Sequence, residues 1–380
     1  MTRPAVMRID SQPDSLSIQW ADGEVSDFAS PLLRDNLRED RDPHSGQRLV
    51  DIADLPEAPR IRTAVLENGS VRIEWESEPR GAVFDLDWLA AHAMSDAPRP
   101  QDAARRWLDG AALDAARDFA RATLGEIRGS AALRLQWLTH LLQDGIAFLT
   151  GLAAEEAAIL DAVSLLGRVA ETNYGRVFDV RSVPQPENLA YSDLGLGLHT
   201  DNPYREPVPG FQALHVLIAS PDGGDSLFAD GFALADYLRA IDPGAFSTLS
   251  RTPVPFLYRS KDAELFAERP LIQLSCHGAV AAVHYNSRSV APLRLAARDA
   301  SAFYAAYRRF AALLRDPRYQ LRLRMQAGDM AVFDNQRILH GRTGFSSAAH
   351  ARHLRGCYLT RDSVYGEAAL LRRRLVAQSA

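Results

Sequence analysis

From residue 146 onward the sequence breaks into short apolar or alternating runs, separated by Gly, Pro and Asp turns. A chain punctuated this way does not supply the regular strand–helix alternation that a doubly wound sheet needs. Many short strands joined by turns close into a sandwich or barrel. The runs at 146–152, 174–182, 211–218, 253–259, 271–275, 281–286, 319–325, 329–334 and 352–359 read as strands. Helical patterns near 151–169, 231–242 and 298–314 interrupt them, and 361–376 reads as a C-terminal helix. The expected fold is mainly β with flanking helices: a double-stranded β-helix, or jelly roll.

Upstream the pattern differs. Residues 1–90 are β-rich, with SLSIQW, LVDIADL and VRIEWE set between turn residues, while 34–47 is a polar loop. From Trp88 the spacing turns helical, in DWLAAHAM, in DAARRWLDGAALDAARDFARATL and in AALRLQWLTHLLQ. Ser130 suits the N-cap of the last of these, and Gly145 its stop. A small β-rich N-terminal domain over 1–97 and a jelly-roll domain over 98–380 are expected, with the break near Pro98.

Charge and cysteine content exclude several classes. The net charge of −5 and the single lysine, Lys261, leave no basic field or run for nucleic acid. The two cysteines, Cys276 and Cys357, are too few for a disulfide framework, so a reducing compartment is expected. The N-terminal residues lack an apolar signal core, and no window approaches a membrane span. A soluble, cytoplasmic protein is the expectation.

The chemistry concentrates in residues 195–218, GLGLHTDNPYREPVPGFQALHVLI. His199 and Asp201 flank Thr200, and in an extended segment residues two apart share a face. An imidazole and a carboxylate can therefore meet on one metal ion. About one His-x-Asp is expected by chance in such a chain, and the pair could simply hydrogen-bond within a turn. Its place before a buried strand favours the metal. His340, in GDMAVFDNQRILHGR and just after a strand, is the candidate third ligand. Two His and one carboxylate on one face leave open positions for other ligands. Arg352, at the start of ARHLRGCYL, could clamp a carboxylate bidentately or be an ordinary surface arginine. His215 reads as a core residue with a satisfied hydrogen bond.

HTDNPYREPVPGFQALH, GGDSLFADGF, GDMAVFDNQRILHGR and RHLRGCY resemble the Fe(II)/2-oxoglutarate oxygenases of the γ-butyrobetaine and trimethyllysine hydroxylase family. The likeness extends to LLRDN and DWLAAH in the N-terminal part. It implies iron on His199, Asp201 and His340, and 2-oxoglutarate on Arg352 with Asn188 and Leu214. It implies hydroxylation of an unactivated C–H bond, with O2 as the other cosubstrate. It also implies a cage of Tyr174, Phe178, Tyr191 and Tyr358 around a trimethylammonium group, which ring faces attract and which cannot donate a hydrogen bond. Phe178 stands where a stronger cation–π donor, Trp, is expected from the family. A homodimer is a further expectation from the resemblance.

For the substrate's other end, Asn202, Asn286 and Arg288 are the candidates. Two amides and a guanidinium offer donors suited to the three oxygens of a phosphonate. The expected substrate is 2-(trimethylammonio)ethylphosphonate, hydroxylated next to phosphorus. γ-Butyrobetaine is the alternative, trimethyllysine ranks below it, and a non-catalytic jelly-roll binding protein is the alternative of another class. No Gly-x-Ser-x-Gly, P-loop or dinucleotide glycine motif supports a hydrolase or nucleotide enzyme. The family's N-terminal zinc site is not expected, because the segment after LLRDN has no Cys and His44 cannot hold zinc alone.

Overall fold

The computed structural model describes residues 5–76, 81–94, 104–181, 194–345 and 352–379. The chain divides into two compact units, Met1–Pro98 and Arg99–Ala380. In the first, the strands Val6–Gln12, Ser15–Trp20 and Val25–Ala29 form one antiparallel sheet, and Ile61–Glu67, Ser70–Trp75 and Ala82–Asp85 another. Alternate residues of these strands, Leu16, Ile18, Val71, Ile73 and Trp75, are fully buried in its core. The Trp75 indole donates to Ser30 Oγ at 2.9 Å. The expected LVDIADL strand is instead a 3-10 turn, Ile52–Asp54. The Asp51 carboxylate accepts from Ala53 N, and Leu49 and Ile52 stay exposed, so no sheet face claims them.

The second unit is a jelly roll of two facing sheets. The larger runs in the order Phe178–Arg181, His353–Leu359, Phe211–Ile218, Met330–Asp334, Ile146–Thr150 and Arg121–Thr123. Val169–Ala170 adds a short pairing to His353–Leu359. All neighbours in it are antiparallel except the last two strands, which run parallel. The smaller runs Leu196–His199, Ile338–Arg342, Ser226–Asp230 and Leu321–Leu323, all antiparallel. The larger sheet is buried on both faces. Ile146, Phe148, Val216, Ala331, Phe333 and Leu354 pack inward against the smaller sheet. Ala147, Leu149, Phe211, Ala213, Val332 and Cys357 pack outward under the helices Ala131–Asp144 and Arg361–Ser379. That double burial is why these strands read as continuous apolar runs.

The helix Ala131–Asp144 has the expected ends: Ser130 accepts from Leu133 N at 3.2 Å, and Gly145 takes φ 78°. The helix expected just before it does not form over the described residues. That stretch holds a 3-10 turn, Gly110–Ala112, and the edge strand Arg121–Thr123. Asp114 accepts from Ala116 N, and Asp118 from Asp114 N, so two carboxylates compete with the helix for backbone donors. Within 151–169 the helix is only Ala158–Val163. Strands outside the expected runs include Leu196–His199, Ser226–Asp230, Glu264–Arg269 and Ile338–Arg342, and the helix Pro243–Arg251 lies outside them too. Among the described residues no helix is long and apolar enough to cross a membrane.

Candidate active site

His199 ends the strand Leu196–His199, and His340 lies in the middle of Ile338–Arg342 rather than after a strand. The two strands pair antiparallel with His199 directly opposite His340, so the imidazoles stand side by side, ring centroids 4.3 Å apart. Asp201 follows two residues past His199. Its Oδ1 lies 3.3 Å from His199 Nε2 and its Oδ2 lies 3.8 Å from His340 Nε2. One ligand atom from each of the three lies within 4.8 Å of the others.

The donor set fits a divalent metal. His199 Nδ1 is 2.9 Å from the Gly197 carbonyl, which only accepts, so in the neutral ring Nδ1 carries the proton and Nε2 turns a lone pair toward Asp201. Burial, together with the neighbouring His199, pushes His340 down to about 3, which leaves it neutral. Burial opposes the charge on Asp201, but its polar neighbours, the donating Tyr358 hydroxyl among them, hold its carboxyl well below the usual range. The Tyr358 hydroxyl donates to Asp201 Oδ2 at 2.8 Å. Two lone pairs and an anion converging on one point make a 2-His-1-carboxylate site.

Asn335, fully buried, fixes the backbone of Asp201. Its Oδ1 accepts from Asp201 N at 2.7 Å, and its Nδ2 donates to Asp201 O at 3.0 Å and Pro209 O at 3.2 Å.

A cavity open to solvent lies between the sheets beside the triad. Arg352 lines it, 7% exposed, and burial with the neighbouring Arg342 pushes its guanidinium down to about 10, still charged at neutral pH. Room for it comes from Gly224, where an added Cβ would sit 3.1 Å from Arg352 Cδ. Leu214 is part of the same wall. Asn188 lies outside the described residues, as does Tyr191.

Tyr174, Phe178 and Tyr358 form an aromatic side of the cavity, Phe178 and Tyr358 with centroids 5.0 Å apart. Behind them runs a hydrogen-bond chain. The Tyr204 hydroxyl donates to Asn202 Oδ1 at 2.6 Å, and Asn202 Nδ2 donates to Tyr358 Oη at 3.0 Å. The Tyr174 and Tyr204 hydroxyls are 3.4 Å apart. Asn202 reaches this position with φ 54°, a conformation asparagine tolerates better than most residues.

Of the three residues expected at the substrate's anionic end, one lines the cavity. Asn202 lines the cavity, but both ends of its amide are engaged by tyrosines. Asn286 is absent from the lining and donates to Thr200 O at 3.1 Å, leaving its Oδ1 buried without a partner. Arg288 is also absent from the lining; its exposed side chain lies close enough to Asp201 and Tyr204 to feel their charge. His215 is buried, but neither ring nitrogen has a partner, so the expected hydrogen bond is not made.

Sequence reasoning missed Tyr204, Asn335, Gln212 and Arg342. All four lie inside the quoted motifs, so proximity to the metal residues was the available signal.

The profile for "Taurine catabolism dioxygenase TauD, TfdA family" matches residues 114–358. The chain belongs to the TauD/TfdA dioxygenase family. A second profile, "Gamma-butyrobetaine hydroxylase-like, N-terminal", matches residues 7–90. The γ-butyrobetaine dioxygenase of Pseudomonas sp. (strain AK-1) is 32% identical over 94% of this chain and 94% of that protein. Dioxygenase str8 of Strobilurus tenacellus is 30% identical over 91% of this chain and 85% of its own. The human γ-butyrobetaine dioxygenase is 28% identical over 95% of each. As a TauD/TfdA dioxygenase the protein uses Fe(II), 2-oxoglutarate and O2.

Proposed function

We propose that this dioxygenase hydroxylates a small trimethylammonium zwitterion, with 2-(trimethylammonio)ethylphosphonate as the preferred substrate. One observation carries the reading: a single cavity joins the His199–Asp201–His340 triad, the buried Arg352 and the aromatic side of Tyr174, Phe178 and Tyr358. In this reading the triad holds Fe(II), whose role when bound is to activate O2. Arg352 takes the far carboxylate of 2-oxoglutarate, with Leu214 and Asn188 beside it. Tyr174, Phe178, Tyr358 and Tyr191 receive the quaternary ammonium, a cation that ring faces attract without hydrogen bonds. One oxygen atom of O2 enters succinate as 2-oxoglutarate loses CO2, and the other enters a C–H bond of the substrate as a hydroxyl.

The phosphonate is favoured by Arg288. It makes no hydrogen bond or ion pair among the described residues, yet its charge reaches Asp201 and Tyr204 beside the cavity. A guanidinium there suits a group richer in oxygens and charge than a carboxylate. The second reading is γ-butyrobetaine, supported by the name of the 32% identical Pseudomonas relative. Incubating the Fe(II)-loaded protein with each betaine and measuring succinate separates the two. Faster release with the phosphonate is expected, and equal or greater turnover of γ-butyrobetaine removes it as the preferred substrate. Asp201→Ala abolishes succinate release with either if the site is catalytic.

A further inference from the structure

We infer that the Gln212 carboxamide is a hydrogen-bonding partner for the metal-chelating, oxo-acid end of 2-oxoglutarate, an inference that rests on reading this cavity as the cosubstrate site. Gln212 sits on the inner face of Phe211–Ile218 and lines the cavity at 1% exposure. Its Oε1 is buried without a partner, and its amide makes no hydrogen bond among the described residues. An unmatched buried amide is costly, and its neighbours along the same inner face, Leu214 and Val216, are apolar. A carboxamide kept in such a row, facing a cavity, offers its free N–H to a ligand there.

Strand register fixes where that place is. Gln212 stands opposite Tyr358 on one side and Phe333 on the other. Tyr358 donates to Asp201, and the Phe333 ring lies 4.9 Å from the His340 ring. Gln212 is therefore flanked by the two side chains that touch the metal-binding residues from the larger sheet. Of the aromatic side, Tyr358 is the direct neighbour, whereas Phe178 pairs with Gly356, which in turn pairs with Leu214, one step along the strand from Gln212 and two strands away. Arg352 lies toward the other end of the Tyr358 strand, on the same alternating face. A dicarboxylate anchored at Arg352 with its oxo-acid end at the triad runs toward Gln212, whereas a cation against Phe178 lies to the side. Oxygens of a 2-oxo acid only accept, so the amide N–H is the group that meets them. Gln212 is a positioning residue for the cosubstrate rather than for the ammonium substrate.

The test is 2-oxoglutarate binding to the full chain loaded with Mn(II), which avoids turnover, followed by tryptophan fluorescence or calorimetry. Gln212→Met keeps the volume and removes the amide; Gln212→Leu serves as the second variant. Loss of one hydrogen bond to a charged acceptor predicts a 2-oxoglutarate Kd about tenfold weaker. Mn(II) affinity and the Kd of 2-(trimethylammonio)ethylphosphonate and γ-butyrobetaine are expected to stay at the wild-type values. An unchanged 2-oxoglutarate Kd overturns the inference, as does a loss that falls on metal or betaine binding instead. Failure of both variants to fold overturns it in favour of a packing role. Wild-type protein that does not bind 2-oxoglutarate would instead sink the cosubstrate reading itself.

Discussion

Asp201 is held from two sides, and each hold does a different job. Asn335 grips its backbone on both N–H and C=O, which sets where the carboxylate leaves the chain. Tyr358 donates to Oδ2, which sets the carboxylate's rotation and leaves Oδ1 toward His199. Groups that orient a metal ligand in this way are typically worth about 10–100-fold in metal affinity. Tyr358→Phe removes the donor and keeps the ring, so Fe(II) binding in an anaerobic titration should weaken within that range while the ring still faces the cavity. Asn335→Ala frees the backbone and removes the partner of three main-chain groups, Asp201 N, Asp201 O and Pro209 O, so it should weaken Fe(II) binding similarly and also lower stability by about 1–3 kcal/mol in urea unfolding. Unaltered metal affinity in both variants would mean that Asp201 is placed by the strand end alone. The sequence could name Asp201 from its spacing to His199. It could not name these supports, because a hydrogen bond across 134 positions to Asn335 leaves no local pattern.

At the scale of elements, the site depends on how strands approach one another. The pairing of Leu196–His199 with Ile338–Arg342 sets His199 opposite His340, and no side-chain periodicity announces it. RILHGR contains arginine, histidine and glycine, so it lacks the apolar run that identified the neighbouring Met330–Asp334. Strands buried on both faces were legible as apolar runs, whereas a strand whose inner face is given to ligands was not. The aromatic side has a similar dependence. Phe178 lies over Gly356, where an added Cβ would sit 2.5 Å from the ring. Gly356→Ala must push Phe178 away from Tyr358, at a cost of about 1–3 kcal/mol in stability for the overpacking. Loss of one ring from a cation site is worth about 1 kcal/mol, so KM for the ammonium substrate should rise roughly fivefold with a smaller change in kcat. If KM holds and kcat falls, the Phe178 ring does not meet the cation.

Across the whole molecule, burying polar rings away from the site makes stability depend on pH. His284 is 1% exposed, its Nε2–H facing Gln273 Oε1 at 3.0 Å while Nδ1 has no partner. Burial, reinforced by the nearby Arg269, pushes it down from an ordinary value of 6.5 to about 3. Because its folded value lies below its unfolded one, the native chain binds fewer protons than the unfolded chain throughout the interval between them. The contribution is whole above about 6.5, declines as pH falls, and is gone once pH passes below about 3. From about pH 7.5 down to about pH 5 this one ring should remove roughly 2 kcal/mol of stability. Buried His215 is shifted downward too, again by burial, so the acid loss of the wild-type protein exceeds one ring's share. His284→Gln keeps a polar amide in place of the ring and cannot titrate. Its stability should therefore fall less between the two pH values than that of the wild type, by about 2 kcal/mol, whatever its absolute stability. Urea unfolding of metal-free protein at both values reads the difference directly. Equal losses in the two proteins would show that the ring finds a partner for its proton inside the fold, and that acid sensitivity arises at other groups.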